Sequence, residues 1–206
     1  MGEDASFDVA LAKKYGARIL LVDPTPRAVS HYEAMKSRFG RSAEIEFVEG
    51  GTQPVEAYDL DGISASDLVL EPTALWTENT TLKFFQPENP EHVSHSIVNF
   101  QNNYRKDTAA IEVEAITLQT LLHRHGLEGQ PIALLKLDIE GAEVEVLEQL
   151  AEQGVFPRQI CVEFDELNRP GDKAFERVDR ADAALRSAGY QCVYGNGGTD
   201  YLYLKR

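Results

Sequence analysis

Three apolar runs constrain this chain more than anything else in it: ARILLVD (17–23), IALLKLD (132–138) and QICVEFD (159–165). None alternates cleanly between apolar and polar residues. A strand with one wet face alternates, whereas a strand covered on both faces does not. The runs therefore read as strands of a mostly parallel sheet with helices on both sides. Residues 5–15 supply one helix, with Asp4 or Ser6 as N-cap, Phe7, Leu11 and Tyr15 on one side, and Gly16 as its stop. Residues 26–39 follow Thr25, with Pro26 in the first turn and Gly40 at the end. Their buried stripe is Val29, Tyr32, Met35 and Phe39. Residues 141–152 place Val144, Leu147 and Leu150 on one face. Residues 173–188 follow Asp172, carry Phe175, Val178 and Leu185 inward, and stop at Gly189. A shorter helix is expected over 118–125, after Thr117. This alternation implies right-handed crossovers and a doubly wound α/β fold.

Two segments depart from that pattern. In DLVLEPTALWTENTTLKFFQP (66–86), two strand-like runs flank TENT, which predicts an antiparallel hairpin. The chain is thus expected to be a single domain over 1–206, with a hairpin and loop insertion at about 66–103. At the end, YQCVYGNGGTDYLYLKR sets two β-rich runs around NGG, a second hairpin signal. A parallel sheet finished by an antiparallel hairpin is the methyltransferase variation on the Rossmann theme.

Charge narrows the classes of partner. The sequence holds 34 acids against 20 bases, a net charge of −14. Such a surface repels phosphate backbones and anionic lipid, so neither nucleic acid nor membrane is an expected partner. No apolar run approaches the ~20 residues of a membrane span. MGEDASFD lacks a signal-peptide core, so a cytoplasmic location is expected. Cys161 and Cys192 sit in apolar runs and read as buried free thiols.

In open α/β sheets, ligands bind outside the carboxyl ends of the strands. All three runs end in acid: Asp23, Asp138, and Glu163 with Asp165. Asp23 is placed to accept the ribose hydroxyls of an adenosyl group. It lies 21 residues after Gly2, close to the ~20 that usually separate such an acid from a glycine turn. Alternatively, Asp23 starts a turn before Pro24 or helps to cap the next helix. Glu140 and Glu143 are expected in the first turn of a helix, whose dipole stabilises anions, and Glu145 and Glu148 on a solvated face. Asp138 is less easily explained by structure, because a partly desolvated carboxylate without a partner is costly. The loop PENPEHVSHSIVNFQNN (87–103) gathers His92, His95, Ser94, Ser96, Asn99 and Gln101. Its HxxH binds a metal only with a third ligand, and a polar surface loop is the commoner outcome. Over a pocket, His95 could act as general base, its ordinary pKa of ~6.5 suiting that work.

KLDIEGAEVEVL (136–147) resembles the K-[IL]-D-[IV]-E-G-x-E-x-x-x-L signature of the FkbM family of S-adenosylmethionine-dependent methyltransferases. LLVDPTPRAV (20–29) resembles the strand-acid-Pro-x-Pro segment of that family, and MGEDASFD the tail of its glycine-rich cofactor loop. ALW, LKFFQP and VSHS look familial as well. The resemblance implies a Rossmann-like class I methyltransferase sheet, S-adenosylmethionine as cofactor, and O-methylation of a small molecule or sugar. It implies Gly2 and Asp4 at the cofactor loop, Asp23 on the ribose, and Asp138 beside the methyl group and acceptor. Asp138 or His95 would take the proton of a hydroxyl acceptor. Some methyltransferases use a divalent metal at the end of this strand, and Asp138 with Glu163 or Asp165 could offer oxygens to Mg²⁺, but the sequence holds no closed ligand set and no metal ligand is assigned. The strand that normally precedes the glycine loop is not in the sequence, so the sheet is expected to lack its first strand. Two other readings stand beside this one. One is an NAD-dependent oxidoreductase, against which the terminal hairpin and the lack of a full G-x-G-x-x-G count. The other is a non-catalytic or truncated remnant of the fold, for which the missing strand counts.

Overall fold

The computed structural model describes residues 1–86, 97, 108–168 and 170–206. His92 and His95 lie outside the described residues. The chain is α/β and divides into two compact units, one built on Met1–Ala74 and one on the described residues from Leu75 onward.

The first unit contains α1 (Ser6–Tyr15), β1 (Ile19–Val22), α2 (Pro26–Lys36), a 3-10 turn at Val55–Ala57 and β2 (Leu68–Glu71). β1 and β2 pair in parallel, from Ile19↔Leu68 to Val22↔Glu71. The core joins Val9 and Ala12 of α1, Leu21 of β1, Tyr32 and Met35 of α2, and Leu68 of β2. The buried face of α1 is not the expected one. Phe7 and Tyr15 are 46% and 66% exposed, while Ala5, Val9 and Ala12 are buried. The small side chains let the helix approach the core closely, which an aromatic stripe would prevent. Gly16 ends α1 as expected: its φ of 59° is left-handed, and its N–H returns to the Ala12 carbonyl.

A buried polar relay ties the start of the chain to this core. The Tyr58 hydroxyl accepts the Ala5 N–H at 2.9 Å and lies 2.9 Å from His31 Nε2. The hydroxyl proton is satisfied only if Nε2 accepts it, which leaves His31 neutral with its proton on Nδ1. Burial pushes the Tyr58 hydroxyl up to about 12 and lowers the His31 pKa, against the opposing pull of Glu3 and Asp4. Nearby, the Glu3 carbonyl accepts the Gln53 N–H at 2.8 Å.

The boundary falls within β3 (Ala74–Leu75); β4 (Thr80–Phe85) and β5 (Ala110–Ile116) follow, and β5 is central in their sheet. The hairpin expected within 66–86 does not form. β2 pairs with β1, and β4 pairs antiparallel with β5, from Thr80↔Ala115 to Phe85↔Ala110. Pro72 explains the break after Glu71, because it has no N–H to continue a ladder. Then come α3 (Leu118–Arg124), β6 (Leu135–Leu137), α4 (Glu143–Gln153), β7 (Gln159–Glu163), α5 (Ala174–Ser187), β8 (Tyr190–Gly195) and β9 (Asp200–Lys205). Thr117 caps α3 as expected, its hydroxyl oxygen accepting the Thr120 N–H at 3.1 Å.

The last sheet runs β6-β7-β9-β8. β6 and β7 are parallel, while β7–β9 and β8–β9 are antiparallel. The terminal hairpin is therefore present, but the sheets are mixed rather than mostly parallel. In its turn, Asn196 Oδ1 accepts the Gly198 and Asp200 N–H groups, and Gly197 takes a φ of 81°. Among the described residues, β1 pairs with β2 alone and β6 with β7 alone. α4 and α5 pack together and bury Val144, Leu147, Leu150, Val178 and Leu185. Phe175, expected inward, is 65% exposed, because Ala174, Val178 and Ala181 form the packed face instead. Cys161 and Cys192 are free thiols, but half-buried rather than buried. No helix among the described residues is long and apolar enough to cross a membrane.

The relay at Tyr58 makes two stability predictions. Tyr58→Phe leaves a buried N–H and a buried ring nitrogen without partners and should cost about 1–3 kcal/mol in urea denaturation. His31 has a folded pKa below its unfolded 6.5. Its contribution is therefore complete above that pH and is lost as pH falls towards the folded value. The stability advantage of the wild type over His31→Gln should narrow between pH 7 and 5. An advantage constant across that range would contradict a neutral buried His31.

Candidate functional site

The turn from β6 into α4 carries the signature segment. After Leu137 come Asp138, Ile139, Glu140 and Gly141, with Glu140 at φ 56° and Gly141 at φ 100°. Glu140 is the one non-glycine residue with positive φ among the described residues. Glu143 opens the helix, is 0% exposed, and turns back over the loop. Its Oε1 accepts the Ile139 N–H at 3.0 Å, and both its oxygens lie 3.1 Å from the Gly141 nitrogen. It thereby satisfies amides that a strand-to-helix turn would leave orphaned. Burial drives its pKa well above the carboxylate range, Asp165 adds to that, and the backbone N–H groups oppose it. The helix starts at Glu143, so Glu140 stands in the turn before it, not in the first helical turn.

A second buried acid comes from the end of β7. Asp165, in the 3-10 turn Asp165–Leu167, is 7% exposed. Its Oδ1 accepts from Asn168 Nδ2 at 3.2 Å. Burial raises its pKa, the charges of Glu140 and Asp138 raise it further, and hydrogen bonds from Asn168 and the Glu140 backbone oppose them. Asp138, Glu140 and Asp165 each bring a carboxylate oxygen within 4.8 Å of the other two. Glu163 also feels this charge: burial raises its pKa first, then Asp138, Asp165 and Asp200, with Lys136 opposing.

Asp138 itself differs from expectation. Its side chain is 42% exposed and takes a hydrogen bond from Lys136 Nζ at 2.8 Å. It is hydrated and partnered, because Lys136, two residues earlier on β6, reaches the same edge. The desolvated acids are Glu143 and Asp165. A glutamate two residues after the turn glycine, and an acid directly after Phe164, were the available signals. Glu145 and Glu148 are not a freely solvated face either. Arg177 bonds Glu145 at 2.7 Å and both oxygens of Glu166, at 2.8 and 2.9 Å, and Arg180 bonds Glu148 at 3.1 Å. These pairs form a charged seam along α4 and α5.

In the first unit, Asp23 and Gly2 meet directly. Asp23 Oδ2 accepts the Gly2 N–H at 2.9 Å. Oδ1 accepts both the N–H and the hydroxyl of Thr25, at 2.9 and 2.7 Å. The side chain is 14% exposed. The turn role considered for Asp23 is thus present, together with contact to the glycine segment. Asp4 Oδ1 accepts the Ser6 N–H at 2.8 Å and directs the chain into α1, whose N-cap is Ala5. An open groove of about 380 Å³ lies along α1 and includes Val9, Lys13, Ile45, Phe47 and Asp59. Gly2, Asp4 and Asp23 are not among its lining residues.

The family described as Methyltransferase FkbM domain matches residues 3–192 of the 206. No curated protein and no solved structure matches the chain.

The strained turn can be tested by substitution. A non-glycine residue in the left-handed region costs about 1–2 kcal/mol. Glu140→Gly and Glu140→Ala both remove the charge, but only glycine relieves the backbone. The glycine variant should be the more stable of the two by about 1 kcal/mol in denaturant melts. Equal stabilities would show that the turn is unstrained.

Proposed function

The chain belongs to the FkbM methyltransferase family, and on that premise we propose that it is an S-adenosylmethionine-dependent methyltransferase acting on a hydroxyl of a small molecule or sugar. The family match carries the reading, and the contact between Gly2 and Asp23 supports it. S-adenosylmethionine, when bound, supplies an electrophilic methyl carbon on a sulfonium. Asp23 is the residue for its ribose. A carboxylate has about four lone-pair positions, and Thr25 takes two on Oδ1 while Gly2 takes one on Oδ2. One ribose hydroxyl fits as the carboxylate stands, and a second requires Thr25 to let go. Gly2 and Asp4 shape the backbone beside that carboxylate.

For the acceptor, a base must remove the hydroxyl proton as its oxygen bonds to the methyl carbon. Asp138 is the base in this reading: it is exposed, ionisable and placed at a strand end. His95, in the loop 87–103, is the second candidate for that proton. The oxidoreductase and remnant readings are separated by a ligand panel, because only a ligand that prefers the folded state raises the melting temperature.

The full chain should melt higher with S-adenosylmethionine or S-adenosylhomocysteine, and not with NAD. A rise with NAD alone, or with none of the three, overturns the reading. Asp23→Ala should weaken S-adenosylhomocysteine binding about tenfold by calorimetry, in line with a lost hydrogen bond to a charged group. Asp138→Asn should lower turnover by at least about 100-fold, the contribution expected of a positioned base, with cofactor affinity unchanged. If His95 shares the work, His95→Ala removes the acidic limb of the pH–rate profile. Wild-type kinetics in both variants would remove these residues from the chemistry.

A further inference from the structure

The glycine segment at the start of the first unit is held from behind by three elements. Asp23, after β1, takes the Gly2 N–H at 2.9 Å. The Glu3 carbonyl accepts the Gln53 N–H at 2.8 Å, and its carboxylate pairs with Arg27 Nη2 of α2 at 2.5 Å. Tyr58, after the 3-10 turn, takes the Ala5 N–H on its hydroxyl at 2.9 Å. This last bond lies in the core, since Ala5 and Tyr58 are both 0% exposed.

Tyr58 depends in turn on His31 of α2. The hydroxyl is 2.9 Å from Nε2, and the two rings meet edge to face at 5.7 Å. A hydroxyl has one proton to give and two lone pairs to offer. With His31 neutral, the proton goes to Nε2 and one lone pair takes the Ala5 N–H, so every group is satisfied. With His31 protonated, Nε2 becomes a donor. Both lone pairs are then claimed, and the hydroxyl proton must find a new acceptor inside the core, which is costly. The relay relaxes when Tyr58 lets go of Ala5. Burial lowers the His31 pKa, while Glu3 and Asp4, on the glycine segment itself, pull it the other way. Asp4 and Asp8 act on Tyr58, and Arg27, one turn before His31, is engaged with Glu3.

We propose that Tyr58 and His31 are positioning residues for the cofactor: neutral His31 latches the Gly2–Ala5 segment through Tyr58, and a proton on His31 releases it, so that cofactor affinity falls in acid. The latch rests on the methyltransferase reading, in which Gly2 and Asp23 meet the cofactor. Tyr58 and His31 act only through the fraction of molecules whose segment is in place, because affinity is reduced by that fraction.

The test uses the full chain and S-adenosylhomocysteine, with affinity measured by calorimetry at pH 7.5 and pH 5. Wild-type affinity should fall about three- to tenfold between them, the span of one net hydrogen bond. His31→Gln puts an amide in place of the ring, able to accept the Tyr58 hydroxyl but unable to titrate, and should bind within about twofold of the wild type at pH 7.5. This variant should abolish the fall at pH 5. Tyr58→Phe lacks the hydroxyl and should bind about three- to tenfold more weakly at pH 7.5, again without the fall. Val178→Ala, buried on α5, lowers stability away from the relay and should keep both the affinity and the pH dependence of the wild type. Should Tyr58→Phe fail to fold, His31→Gln decides the matter. A wild type that does not bind at pH 7.5 overturns the methyltransferase reading and the latch with it. A wild type that binds equally at both pH values, or a His31→Gln variant that keeps the fall, overturns the latch alone.

Discussion

The Glu143 carboxylate is the interaction on which the second unit depends. It is fully buried and spends its oxygens on the Ile139 and Gly141 amides. A carboxylate taken out of water is costly unless hydrogen bonds replace its hydration. Here the turn supplies them, and in return the turn is held in one conformation. That conformation sets Glu140 in a left-handed backbone and directs Asp138 and Glu140 towards the end of β7. Without Glu143, the orphaned amides would need water, and the chain between β6 and α4 would lose its fixed path.

Charge is distributed around this clamp in two ways. Along α4 and α5, Glu145, Glu148 and Glu166 are matched by Arg177 and Arg180. At the strand ends, among the described residues, Lys136 faces several acids, of which Glu143 and Asp165 are buried and Asp138 is exposed. A seam of matched pairs stabilises packing. A cluster of like charges does not, because its members raise one another's pKa. That contrast separates a scaffold from a candidate site within the same short stretch of sequence.

The first unit uses a tyrosine–histidine pair and one carboxylate for the same purpose. Tyr58 links the Ala5 backbone to His31, and Asp23 links Gly2 to Thr25. Both interactions anchor the segment 1–5 to the core elements behind it. The glycine segment and the strand-end acid, paired in the sequence by their separation, are thus brought into contact by the fold. Their contact is consistent with a cofactor loop, and with a plain turn as well, because Thr25 satisfies Asp23 in both.

Local features were legible in the sequence. Continuous apolar runs gave β1, β6 and β7. Gly16, Gly189 and the Thr117 cap marked helix ends, and NGG marked the terminal hairpin, whereas α2 stops at Lys36, short of the expected Gly40. The acids at strand ends were visible for the same reason, since placement along a strand is a property of neighbouring residues. Partnership and burial were not legible. Strand 80–85 could have turned back on 68–71; it pairs instead with 110–116, a choice settled by contacts distant in the chain. α1 and α5 each offered aromatic residues for burial, and close packing selected alanine and valine. The turn glycine before Glu143 and Phe164 before Asp165 mark their positions, but nothing in the sequence separates their burial from that of Glu145 or Asp172. Only the tertiary structure decided which carboxylates lose their water, because desolvation depends on what folds over a residue and not on what stands next to it.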